Sequence, residues 1–426
     1  MDIIPEASLS LITILEKTLN YVDPRLMDHG KRVAHIIYHV LKSQNTYSRK
    51  QLRDICILAM LHDIGAYKTE EIDKMVEFET SKVWEHSIYG YLFLKYFSPL
   101  KDYSPVILYH HADLEEIQAL DPAYHELAQM INLADRLDIG SLAGISDWKK
   151  FVIRFEKQIG TNFSKAVTDM FFHGTHALTI DVFNGSYDED FLKLLHENDF
   201  TDEEVTAYLK MIVLSIDFRS PQTVNHTFAL MVICRYLGKA LGYSPARINA
   251  ITTAALVHDI GKIGIPTTIL ESPNRLTETE MDIMKSHVVL SNDILKDNIA
   301  DDIRLIAVRH HERLDGKGYP DGLSADALSE EQRLMSIADV FSALCGVRSY
   351  KNAYPKEKII AILSDMAQSG GLDADLTKLT ISCYEPLLQE INKVSAPLLH
   401  IYELIRKEYD ELRLQVKKLK GDSKGA

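Results

Sequence analysis

The residues in this chain best suited to chemistry are histidines, either paired with each other or paired with aspartate. His310-His311 runs straight into Glu312-Arg313-Leu314-Asp315-Gly316-Lys317-Gly318-Tyr319-Pro320-Asp321-Gly322, a loop with three glycines and a proline. Upstream stands His258-Asp259-Ile260-Gly261-Lys262, a histidine–carboxylate unit close to a lysine. Neutral imidazole is the commonest protein ligand for metal ions. Gly316, Gly318 and Gly322 let the backbone bend and come close to a ligand. Histidines and carboxylates without cysteine suit a borderline or harder divalent ion such as Fe, Mn, Ni, Co or Zn.

Asp259 sits beside a histidine and can bridge two ions. One sorting places His226, His258 and Asp339 with Asp259 on one ion, and His287, His310 and His311 with Asp259 on the other. Two ions about 3.5–4 Å apart can share a hydroxide, lower the pKa of its parent water and clamp the oxygens of an in-line displacement. Lys262, within a helical turn of Asp259, can neutralise phosphate charge in the transition state. Asp259 and Lys262 are therefore the candidate catalytic residues. The same set occurs earlier in the chain as His29, His62-Asp63, His86, His110-His111 and Asp135. All seven recur in order roughly 200 residues later, the mark of two tandem copies of one fold. A single histidine such as His226 is as easily a core or surface residue; an ordered set repeated twice is not.

The elements that must position these residues read as helices. Ser48 with Gln51, Thr201 with Glu204, Thr277 with Glu280 and Ser329 with Gln332 are capping-box signatures, and Ser244-Pro245 is a further helix start. The helices opened by Ser48 and by Ser244 both run into a His-Asp pair. Only Ala177–Phe183 alternates like a short strand, so the fold class is all-α: two tandem helical domains, 1–205 and 206–396, then a C-terminal helix and tail over 397–426. After Pro397, Leu398, Tyr402, Ile405, Tyr409, Leu412, Val416 and Leu419 form a heptad seam, which either packs on its own domain or joins a homodimer.

Composition narrows the partners. A net charge of −14 argues against a nucleic-acid polymer, whose binding leans on basic surface. A small anionic substrate remains compatible if bound metal supplies the positive charge. The four cysteines form no CxxC pair, which fits a reducing compartment. The N-terminus lacks the basic start of a signal peptide, and no apolar run approaches the ~20 residues that span a bilayer. The expectation is a soluble, cytoplasmic protein with no membrane partner.

From about Leu214 to Glu390 the chain resembles the HD-GYP family, a branch of the HD metal-dependent phosphohydrolases that opens cyclic dinucleotides. The HDxGK unit is met at His258 to Lys262 with Ile265-Pro266 following, the HHExxDGxGYP stretch at His310 to Pro320, and the last ligand segment at Ile337-Ala338-Asp339-Val340-Phe341. The resemblance implies metal ligands at His226, His258, Asp259, His287, His310, His311 and Asp339, with two divalent ions, Fe, Mn or similar. It implies that Lys262 contacts phosphate and that Tyr319 lies near the substrate. The family's RPYK segment reads Arg348-Ser349-Tyr350-Lys351 here, and Arg348 and Lys351 resemble its base-contacting pair, which suits the O6 and N7 acceptors of guanine.

Two departures matter. Some members bind a third ion through a glutamate where Gln222 stands here, so two ions are expected. The family's DALT stretch reads Ser342-Ala343-Leu344-Cys345, which leaves cyclic GMP-AMP beside cyclic di-GMP as the substrate.

From about Asp23 to Gly140 the chain resembles the broader HD superfamily, with a complete ligand set but Ala112-Asp113-Leu114-Glu115 after the histidine pair and Ala66 in place of the lysine, Lys68 being close. One or two ions are expected there. The function implied is hydrolysis of a cyclic dinucleotide to the linear 5′-phosphorylated dinucleotide, with a second, 5′-nucleotidase-like activity in the first domain. The alternative is a signalling adaptor that binds the dinucleotide with little turnover.

Overall fold

The computed structural model describes residues 10–21, 27–66, 84–117, 121–142, 153, 155–175, 186–197, 200–218, 225–346 and 354–422. Among them there is no strand, only isolated bridges between Ile159 and Phe163 and between Asp315 and Ser324. Ala177–Phe183 lies outside the described residues. The helix starts follow the local signals. Ser48/Gln51, Thr201/Glu204, Thr277/Glu280 and Ser329/Gln332 all close reciprocal capping boxes. Ser244 Oγ accepts the Arg247 N–H at 3.3 Å, with Pro245 opening the helix. Each such cap contributes about 0.5–2 kcal/mol by pairing an amide that the helix leaves open.

The chain divides into two compact units. The described parts of Met1–Thr18 and Phe200–Leu404 form one, and those of Leu19–Asp199 and Ile405–Ala426 the other. The Leu11–Asn20 helix begins on the later unit, where Ser10 N–H donates to the Asn298 carbonyl at 2.9 Å and Lys17 Nζ to the Asp293 carbonyl at 2.7 Å. The last helix starts at Tyr384, ahead of Pro397, and runs to Asp422 with the proline inside it. Its seam packs on its own chain. Within the later unit the Tyr402 and Phe218 rings lie 4.7 Å apart; within the earlier unit those of Tyr409 and Tyr89 lie 4.3 Å apart. Glu408 accepts hydrogen bonds from Tyr91, Lys95 and Tyr96. The Leu419 side chain lies outside the described residues.

In the later unit, the His226–Ala240 helix packs on Pro245–Val257 and on Glu330–Cys345, and Asp301–Val308 packs on Pro245–Val257. Leu230, Ile233, Ile251, Ala255, Leu334 and Phe341 are fully buried between them. In the earlier unit, His29–Gln44 packs on Arg49–Met60, Pro122–Leu142 and Lys165–Thr175, around Ile36, Ile37, Leu58, Ile131 and Phe171. One close approach is shared. A Cβ on Gly261 would lie 2.1 Å from the His287 carbonyl oxygen, and one on Gly65 1.9 Å from that of His86. Glycine is required at both places because backbone meets backbone. No helix among the described residues is long and apolar enough to cross a membrane.

Candidate metal centres and the loop beside them

In the later unit each predicted ligand sits at or near a helix end, or on an inward helix face. His226 opens its helix, His258 caps the end of Pro245–Val257, and Asp259 starts the 3-10 turn Ile260–Gly264. His287 and Asp339 lie within Glu278–Leu295 and Glu330–Cys345, and His310-His311 follow Asp301–Val308. The five histidines converge on Asp259 and Asp339. Asp259 Oδ2 lies 2.9 Å from His258 Nε2, while Oδ1 lies 3.3 Å from His287 Nε2 and 3.8 Å from His310 Nε2. Asp339 Oδ1 lies 3.1 Å from His226 Nε2, and Oδ2 lies 3.6 Å from His311 Nδ1. The two oxygens of Asp259 thus face different histidine groups.

The rings are held so that Nε2 points inward. His258 Nδ1 donates to the Ala255 carbonyl at 2.9 Å, His287 Nδ1 to that of Met284 at 2.6 Å and His310 Nδ1 to that of Ala307 at 2.6 Å. A proton fixed on Nδ1 leaves the Nε2 lone pair free for a cation. Burial pushes His287 down to about 4 and His310 well below its ordinary value, so both rings are neutral. Burial alone would raise the Asp259 carboxyl, but His258 and Lys262 hold it well below the carboxylate range. Lys262 Nζ donates to Asp259 Oδ2.

The inward atoms test whether the donors fit a metal. His258 Nε2, His287 Nε2, His310 Nε2 and Asp259 Oδ1 are buried with no hydrogen-bond partner among the described residues. Buried polar atoms without partners are costly, and four of them facing one region are satisfied together by a cation. Three imidazole nitrogens and an ionised carboxylate are a donor set for a divalent ion.

The earlier unit repeats the pattern. Asp63 Oδ2 lies 3.3 Å from His62 Nε2, and Oδ1 lies 3.5 Å from His86 Nε2 and 3.8 Å from His110 Nε2. Asp135 Oδ1 lies 3.3 Å from His29 Nε2, and Oδ2 lies 4.0 Å from His111 Nδ1. Where Lys262 stands in the later unit, the earlier has the buried Ala66.

Several residues at these sites escaped the sequence reading. His29 Nδ1 bonds Asp138 at 2.7 Å, and Arg32 Nε donates to the same carboxylate at 2.6 Å. Among the described residues, the corresponding ring nitrogen of His226 meets the Ser342 hydroxyl, at 2.9 Å. Asp138 stands three residues after Asp135, one helical turn on, as Ser342 stands after Asp339, and that spacing is the signal that would have found Asp138. Asp217, buried near Lys262 and His226, was also missed; burial, and then the charge of Asp259, pushes its carboxyl up to about 7.

Glu312 was quoted only as part of a motif, yet it organises the glycine loop. The residue is 1% exposed, and its carboxylate accepts the backbone N–H groups of Asp321, Gly322 and Leu323 at 2.7, 3.1 and 2.9 Å. Gly316 and Gly322 take φ of 72° and 66°, the left-handed region open to glycine. The folded loop sets the Tyr319 ring 4.7 Å from that of His311. Arg348, Lys351, Lys68 and Gln222 lie outside the described residues.

Comparison with known proteins agrees with this architecture. Residues 210–376 and residues 26–140 each match an HD domain family model. The 3′3′-cGAMP-specific phosphodiesterase 1 of Vibrio cholerae is 26% identical over 85% of this chain and 88% of its own length. The cyclic di-GMP phosphodiesterase response regulator RpfG of Xanthomonas campestris is 37% identical over 42% of this chain, which spans about half (48%) of that protein. A crystal structure of a cyclic GMP-AMP specific phosphodiesterase of V. cholerae, V-cGAP3, superposes with a TM-score of 0.54 at 18% identity, covering 90% of this chain and 98% of that one, a likeness of fold. Two family matches, the paired histidine–aspartate centres and the GYP loop of the later unit lead to one assignment: the chain belongs to the HD superfamily, as two HD domains in tandem, the second of them of the HD-GYP family.

Proposed function

We propose that the chain is a metal-dependent phosphodiesterase whose later domain hydrolyses a cyclic dinucleotide, cyclic GMP-AMP or cyclic di-GMP, to the linear 5′-phosphorylated dinucleotide. The observation that carries this reading is Asp259, whose two carboxylate oxygens face two different histidine groups beside Lys262. His226, His258, Asp339 and Asp259 would hold one divalent ion, Fe or Mn by donor type, and His287, His310, His311 and Asp259 the other. Bound there, the pair supplies an activated water and charge neutralisation for an in-line displacement.

The chain's own groups do the rest. Lys262 stands next to Asp259 and balances charge on the phosphate as the P–O3′ bond breaks; the 3′ oxygen leaves with a proton and the new P–O bond comes from water. The Tyr319 ring offers a flat face beside His311 against which the substrate is oriented. Arg348 and Lys351 are the base-reading pair in this account. The relative that spans most of the chain is named for cGAMP, which favours cyclic GMP-AMP, and several half-length relatives are named for cyclic di-GMP. Metal-loaded protein given cyclic GMP-AMP, cyclic di-GMP and cyclic di-AMP separately should release a linear dinucleotide from one of the first two. Binding without turnover would replace this reading with the adaptor.

A second reading concerns the earlier domain, whose seven candidate ligands gather in the same pattern as those of the later one. It would act as a phosphohydrolase that removes the 5′ phosphate of the linear product. His62→Ala with Asp63→Ala should then leave the linear product phosphorylated, whereas unchanged products would reject this second activity.

A further inference from the structure

Outside both ligand sets, a third group of metal-type donors converges in the earlier unit. His35 and His39 stand four residues apart on the His29–Gln44 helix, so their rings share one face. Asp188 immediately precedes the Glu189–Leu195 helix and meets them from a distant part of the chain. The geometry points to a third divalent-metal site, of the zinc class, made by His35, His39 and Asp188, which clips the Glu189–Leu195 helix to the His29–Gln44 helix.

Three observations support it. The first is spacing. His35 Nε2 and His39 Nε2 are 3.2 Å apart, and Asp188 Oδ2 lies 2.7 Å from His39 Nε2 and 3.6 Å from His35 Nε2. Ligands about 2.0–2.1 Å from a tetrahedral ion lie roughly 3.3 Å from one another, and the three edges here bracket that value. The second is the behaviour of Asp188. An aspartate at a helix N-cap ordinarily accepts an N–H of the first turn. The Asp188 side chain makes no such bond and faces the two imidazoles instead.

The third is the setting of the rings. The His35 ring is buried, with Phe191 at 4.6 Å and Tyr187 at 5.4 Å fixing its orientation. His35 Nε2 also accepts the Asp188 backbone N–H, at 3.4 Å, a long contact that a bound ion would replace. The Asp188 side chain is half exposed, which leaves a fourth position open to water. Two imidazoles and one carboxylate suit Zn²⁺ and its neighbours better than Mg²⁺ or Ca²⁺. The competing arrangement is a proton shared among the three groups with no metal.

The test uses the full chain, stripped with chelator, reloaded with Zn²⁺ and desalted, beside His39→Gln and Asp188→Asn. Both replaced side chains reach solvent, and neither belongs to the two HD centres. Wild type should retain one more zinc per chain than either variant, while all three melt alike in chelator. Loading with Co²⁺ should give wild type the intense visible absorption of four-coordinate cobalt, largely lost in both variants. Equal zinc content and equal cobalt spectra in wild type and Asp188→Asn would overturn the site. If His39→Gln fails to fold, Asp188→Asn decides alone, because its position is half exposed.

Discussion

Replacing Glu312 by alanine should destabilise the later unit and impair the site without touching any metal ligand. Among the described residues, the Glu312 carboxylate accepts the amides of Asp321, Gly322 and Leu323, at 2.7 to 3.1 Å. A hydrogen bond to a charged group is worth about 1.5–3 kcal/mol, so three would give roughly 5–9 kcal/mol if nothing replaced them. Asp321 and Gly322 are exposed residues, however, and water refills part of the loss, which brings the expected cost down to about 3 kcal/mol. For a unit of this size that is roughly 6–12 °C in Tm. Glu312→Gln should cost about half as much. Oε1 serves both Asp321 and Gly322, so a glutamine carbonyl placed there keeps those two bonds, while its NH₂ meets the Leu323 N–H. Thermal melts of the two variants, with KM and kcat measured beside them, give the comparison. The loop carries Tyr319, so activity should fall in the same order. An alanine variant that melts and turns over like wild type would refute the assignment of Glu312 as the residue that holds the loop.

Gly261→Ala should destabilise by at least about 1–3 kcal/mol in denaturant unfolding, because its Cβ would meet backbone atoms of His287 and Ser291 at 2.1 and 2.4 Å; an unchanged midpoint would show the backbones can part. Asp138→Ala should cost about 3–5 kcal/mol, since it strands the buried Arg32 guanidinium, whereas Ser342→Ala should cost about 1 kcal/mol; equal losses would contradict the difference drawn between the two His partners. Asp217 makes stability fall with pH. Its carboxyl holds a proton up to about 7 when folded but releases it near 3.8 when unfolded, so the folded state binds more protons between those values. Asp217→Asn should gain on wild type between pH 5 and pH 8 in chelator, and parallel pH profiles would rule this out.

Much of the fold was legible because its signals are local. A capping box needs only two residues three apart, and all four such pairs formed as written. The His-Asp pairs were legible through their repetition. What could not be read depends on distant partners. Nothing near Leu11 announces that its helix starts against Asn298, and nothing near Glu312 announces that the chain returns to its carboxylate at Asp321. Pro397 removes one helical hydrogen bond and ordinarily ends a helix, yet the last helix continues through it, with Leu387, Ile391, Leu398 and Ile405 buried along it. Asp188 likewise meets His35 and His39 from about 150 residues away in sequence, a separation that no short-range pattern reaches.

The most direct measurement is turnover and metal content together, for wild type and Asp259→Ala. Protein loaded anaerobically with Fe²⁺ or Mn²⁺ would be given cyclic GMP-AMP and cyclic di-GMP separately, with products resolved by chromatography and metal counted per chain. Asp259 faces both histidine groups, so the account predicts that the variant loses metal from the later centre and makes no linear dinucleotide, while wild type converts one of the two substrates. A variant that keeps the full metal complement and hydrolyses at the wild-type rate would contradict a centre organised on Asp259.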